Sequence, residues 1–144
     1  MNLEKDRHDK VINGLTTNIQ LKHNFYEEDW RYVKPLLLFI LLDMASWCEV
    51  EGLPFKITRI IDGPIPLITK STTHKDGRAF DLSQKHWGKD YIEKFDKHFN
   101  DKYATKYGTS PDGYNPKVVV SKEHGTGPHF HIQIRRGVEP KWRF

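Results

Sequence analysis

A single cysteine in 144 residues, Cys48, rules out an internal disulfide, and a cysteine-rich structural zinc site is equally out of reach. Cys48 lies in an apolar helical pattern and reads as a buried thiol, not a nucleophile. Long hydrophobic runs are also missing. The most apolar stretch, Leu36 to Leu42, is cut off at Asp43, far short of the roughly 20 residues a membrane-crossing helix needs. Met1 to Lys10 is densely charged and has no apolar h-region, so no secretory signal is read and synthesis in the cytoplasm is expected. The net charge of +4 and a sequence pI near 9.1 would suit an anionic partner. Yet the basic residues are scattered, and Lys94, Lys97 and Lys102 alternate with acids instead of forming a stripe interleaved with aromatics. That argues against nucleic acid as the partner. Internal repeats and low-complexity segments are absent too.

What remains is an ordinary globular composition, 37% hydrophobic and 29% charged, on a chain long enough to bury a core unaided. A single domain over 1–144 is expected, monomeric by default, with 1–29 as an N-terminal helical cover and 30–136 as the core. Pro35 suits the first turn of a helix, and the good helix formers from Leu36 to Cys48 run on until Gly52 supplies a stop. Apolar residues on nearly all sides of its first two turns imply burial on more than one face. Phe55 to Ile61 alternates as a half-buried strand and ends at Asp62-Gly63-Pro64. A second helix opens after Gly88, with Tyr91, Ile92, Phe95 and Phe99 on its apolar side. Asp112-Gly113 marks a tight turn, and the β-rich runs 117–121 and 130–135 form an antiparallel hairpin. The fold class is α+β: a small antiparallel sheet with helices packed on one face.

Two stretches carry chemistry. One is Ser71-Thr72-Thr73-His74-Lys75-Asp76-Gly77-Arg78-Ala79-Phe80-Asp81, and the other is His129-Phe130-His131. Imidazole nitrogen and carboxylate oxygen are good donors to first-row metals, and three of them with one open position make the usual catalytic zinc site. On a strand, His129 and His131 point to one side while Phe130, Ile132 and Ile134 face the core. Six residues separate His74 from Asp81, enough for both to reach one ion. The plainer reading is a loop in which Asp81 caps Ser83 and His74 is exposed.

At these residues the chain resembles the D-alanyl-D-alanine peptidase superfamily, whose signature is H-x6-D followed by H-x-H. That superfamily includes the L-alanyl-D-glutamate endopeptidases of bacteriophages, with lysostaphin-type and hedgehog domains as more distant relatives. The likeness covers roughly residues 53–136, and H-x2-G-x-A-x-D is its most detailed part. It implies a hedgehog/DD-peptidase-like fold with His74, Asp81 and His131 as ligands of Zn2+ and His129 beside the zinc-bound water. Many such peptidases place a glutamate three positions before the last ligand as general base. Here that position is Pro128, which leaves His129, Glu123 and His124 as candidates. The alternative ligand set exchanges the roles of His129 and His131. Arg59, with Thr72 in the motif, is the candidate for holding substrate, although a solvated strand-face arginine is the plainer reading of Arg59.

The function this implies is a zinc peptidase acting on peptidoglycan stem peptides, of the L-Ala-D-Glu or D-Ala-D-Ala type. Small size, basic pI and the lack of a signal fit a phage lysis enzyme that is made in the cytoplasm and acts on the cell wall after release. A non-catalytic zinc-binding module of the same fold is the alternative, and the proline at position 128 is the best argument for it.

Overall fold

The computed structural model describes residues 19–21, 33–60, 77–110, 113–123 and 127–138. Along the chain these form β1 (Ile19–Leu21), α1 (Pro35–Glu51), β2 (Phe55–Arg59), β3 (Ala79–Ser83), α2 (Lys89–Tyr107), β4 (Val119–Lys122) and β5 (His129–Gln133). The fold is α+β, built on one five-stranded sheet in the order β1-β2-β3-β5-β4. The sheet is mixed, not wholly antiparallel as the sequence suggested. β1 runs parallel to β2, and the other neighbours are antiparallel. Residues 19–21 were expected within a helical cover and instead supply a short edge strand, which is what makes the sheet mixed. The rest of that cover, 1–18 and 22–29, lies outside the described residues.

α1 begins and ends where its sequence is punctuated. Pro35 stands in the first turn, and Gly52 closes the helix in the left-handed conformation, its N–H reaching back to the carbonyls of Cys48 and Glu49. A left-handed residue costs a side chain energy that glycine does not pay. Leu36, Leu37, Ile40, Leu41, Met44, Ala45 and Cys48 are buried. Each fully buried leucine or isoleucine among them is worth about 1.5–3 kcal/mol. Burial also pushes the Cys48 thiol up to about 12, so it is an inert core group.

α2 is the opposite kind of helix. Phe95, Phe99 and Ala104 are buried, while its outer face is charged. Its Asn100 ties helix to sheet: the side-chain oxygen accepts from the N–H groups of Val118 and Val119, and the amide nitrogen donates to the Val119 carbonyl. The two helices meet over an aromatic cluster. Trp47 of α1 sits 5.6 Å from Phe95, which lies 4.5 Å from Phe130 of β5 between ring centroids. Trp87 packs edge-on against both Phe95 and Phe130 at 5.2 Å and donates its ring N–H to the Pro54 carbonyl.

One face of the sheet is therefore fully committed to the core. Phe55, Ile57, Phe80, Leu82, Val119, Phe130 and Ile132 all belong to the single buried cluster beneath the helices. The alternation of the strands sends their other residues to the opposite face, and the functional candidates are there.

Candidate metal centre

β3 is the strand that positions the site. Ala79-Phe80-Asp81-Leu82-Ser83 alternates so that Phe80 and Leu82 enter the core, while Asp81 turns to the open face. The entry to β3 is anchored twice. The Lys34 N–H bonds the Gly77 carbonyl, and the buried Arg78 donates from Nη1 to the Ile134 carbonyl while Ile134 N–H returns a bond to the Arg78 carbonyl. The arginine inside the motif thus holds β3 to the end of β5.

Register does the rest. Asp81 pairs directly with His131 of β5 on one side and with Arg59 of β2 on the other. Arg59 arrives there through a bulge: the β2–β3 register shifts between Ile57 and Arg59, so that Arg59 and not Thr58 stands opposite Asp81. Val120 of β4 pairs with His131 and completes a row of four residues across the sheet. One step along, Ser83, His129 and Lys122 form a second row.

At the centre, Asp81 Oδ1 lies 2.9 Å from His131 Nδ1, and Asp81 Oδ2 lies 4.0 Å from His129 Nε2. Asp81 is 6% exposed and the two histidines are half-buried. His131 Nε2 sits 2.8 Å from Gln133 Oε1, a carbonyl oxygen that can only accept. The two contacts hold the ring of His131 between Asp81 and Gln133, with Nδ1 turned to the carboxylate. His129 Nδ1 lies 2.9 Å from the Gly127 carbonyl, which selects the Nδ1–H tautomer and puts the lone pair on Nε2, the atom nearer Asp81.

These donors suit a metal. Two ligands of a tetrahedral zinc with bonds of about 2.0–2.1 Å stand about 3.3 Å apart, so the Asp81–His131 pair need open by only a few tenths of an ångström. A ligating histidine whose other ring nitrogen is fixed by a carbonyl oxygen is the usual supporting arrangement, and Gln133 provides it. Among the described residues no group of three His, Cys, Asp or Glu side chains is gathered closely enough to hold a metal ion. The remaining expected ligand, His74, lies outside them, as do the substrate candidate Thr72 and the base candidate His124. No family model, curated protein or solved structure matches the chain.

Glu123 follows the last paired residue of β4 and is exposed. The register sets Lys122 beside His129, so of the described base candidates it is His129 that stands next to Asp81. Two contributors were not picked out from sequence, Gln133 and Lys122. Both follow from period-two counting: Gln133 is two residues beyond His131, and Lys122 falls opposite His129 once the hairpin register is known.

Proposed function

We propose that this chain is a zinc-dependent peptidase that hydrolyses peptidoglycan stem peptides, at an L-Ala-D-Glu or a D-Ala-D-Ala bond. The observation that carries this is the Asp81 carboxylate held between His129 and His131 on the open face of the sheet. In this reading Asp81 and His131, with His74 as the third ligand, would hold Zn2+, which would lower the pKa of water to about 7 and polarise the scissile carbonyl. Gln133 fixes the ring of His131. His129, its lone pair on Nε2, takes a proton from the attacking water and returns it to the leaving amine. Arg59, in line with Asp81, orients the substrate. Action at the cell wall after release from the cytoplasm, as for a phage lysis enzyme, belongs to the same proposal.

The test is release of new amino termini from purified peptidoglycan, with and without a chelator, with mass spectrometry of the products. Chelator-sensitive release supports the peptidase and names the bond. The second reading, a non-catalytic zinc module, is favoured by Pro128 at the position where a glutamate base would stand. It predicts bound zinc with no release.

A further inference from the structure

Where the chain re-enters the sheet as β5, the step before His129 is fastened from three sides. Gln84 follows Ser83, the last paired residue of β3, and extends that ladder by one: its N–H donates to the Pro128 carbonyl at 3.2 Å. Its own carbonyl accepts from the Trp87 N–H at 3.0 Å. Its side-chain amide reaches past β5 to donate to Ser121 Oγ of β4, also at 3.0 Å. Gln84 is buried, and a buried residue held through its N–H, its carbonyl and its side-chain nitrogen is a fixed point for whatever it binds. What it binds is the carbonyl of Pro128.

That carbonyl is one end of a short rigid link. Only the φ and ψ of residue 128 separate the plane of the Pro128 carbonyl from the plane of the Gly127 carbonyl. The proline ring locks φ, and Gln84 holds the far plane. Gly127 meets this link at φ +134°, a conformation open to glycine and rarely to other residues. Its carbonyl accepts from His129 Nδ1 at 2.9 Å. With the proton on Nδ1, a neutral ring carries its lone pair on Nε2, which is 4.0 Å from Asp81 Oδ2.

We infer that Pro128 is a positioning residue for His129: it mounts the Gly127 carbonyl rigidly against Nδ1 and so presents Nε2 as the acceptor on the open face. The chemical consequence rests on the peptidase reading above. A glutamate at 128 would bring a proton acceptor of its own. Proline brings none, but by fixing the tautomer it readies His129 to take a proton from the attacking water at Nε2 and return it to the leaving amine. Pro128 touches no reacting atom and acts only through His129. The residue that argued for a non-catalytic module is thereby part of the base's support.

The test joins a spectroscopic readout to a kinetic one. Ring 15N NMR shifts of His129, taken on the full chain with chelator present, are expected to show the Nδ1–H tautomer in the parent and a mixture of tautomers in Pro128→Ala. Residue 128 is exposed, and an unchanged melting temperature checks that the fold survives. Chelator-free Pro128→Ala is expected to release peptide with kcat about 10-fold lower and KM nearly unchanged, the size of a modest misorientation. In a His129→Ala background the same substitution costs nothing further, because both act on one ring. A parent in the Nε2–H form, or a tautomer that Pro128→Ala leaves untouched, overturns the inference. So do additive losses in the double variant, or a Pro128→Glu chain more active than the parent, which would show the position better served by a carboxylate base. Failure of the peptidase reading is seen separately, as absence of released amino termini from the parent, and the NMR comparison still decides whether Pro128 sets the ring.

Discussion

The two faces of β5 are made from alternate residues of one five-residue strand, yet they obey different rules. Phe130 and Ile132 are fully buried against the helices, and their position follows from hydropathy alone. His129, His131 and Gln133 face the other way, and what they do depends on which residues the neighbouring strands bring opposite them. The core face tolerates many sequences of suitable volume. The open face depends on register, since a slip of one residue would send Asp81 into the core.

The comparison can be broken first from the open side. Asp81→Asn keeps the shape and removes the charge. Under the proposed function it lowers peptide release about 10⁴-fold or more, equivalent to about 5.5 kcal/mol of barrier. Its denaturant midpoint measured with chelator, so that metal does not contribute, moves by no more than about 1 kcal/mol in stability. A collapse in stability would place Asp81 with the core and not the site. Phe130→Ala attacks the same strand from beneath. Loss of the ring from between Trp87 and Phe95 costs about 3–5 kcal/mol, read as a shifted urea midpoint, and activity follows the folded fraction. His129→Ala sharpens the division within the open face: turnover falls by about 10²-fold or more, in keeping with loss of a general base, while metal analysis finds the ion retained. In His131→Ala the ion is lost. The reverse pattern would exchange the two histidines.

The smallest effect belongs to the core alone. Cys48, raised from 9.0 to about 12 by burial, contributes stability that is whole below pH 9.0 and is lost as pH climbs toward about 12, because the unfolded chain gives up its proton first. Cys48→Ala is less stable than the parent at neutral pH by about 1 kcal/mol. That gap closes and then reverses as pH climbs through this alkaline window, as urea midpoints taken across it will report.

The sequence shows α1 almost residue by residue, since Pro35 and Gly52 punctuate an apolar run that has one structural solution. The β4–β5 hairpin is equally legible through its alternation. β3 is harder to see. Its period-two pattern, Phe80 and Leu82 against Asp81 and Ser83, is embedded in a motif whose spacing draws attention to ligands instead of to a strand. β1 is too short at three residues to carry a pattern, and its parallel pairing is a tertiary outcome. Of the site, the shared side of His129 and His131 follows from alternation. The meeting of Asp81 with Arg59 does not, because it turns on a bulge at Thr58 that nothing in the local composition marks.

The most direct test of the central claim is the zinc content of the purified chain beside that of Asp81→Asn and His131→Ala. The account predicts one zinc per chain in the parent and little in either variant, with all three folded by circular dichroism. A parent chain that stays free of zinc when the metal is supplied, or variants that keep a full equivalent, would contradict it.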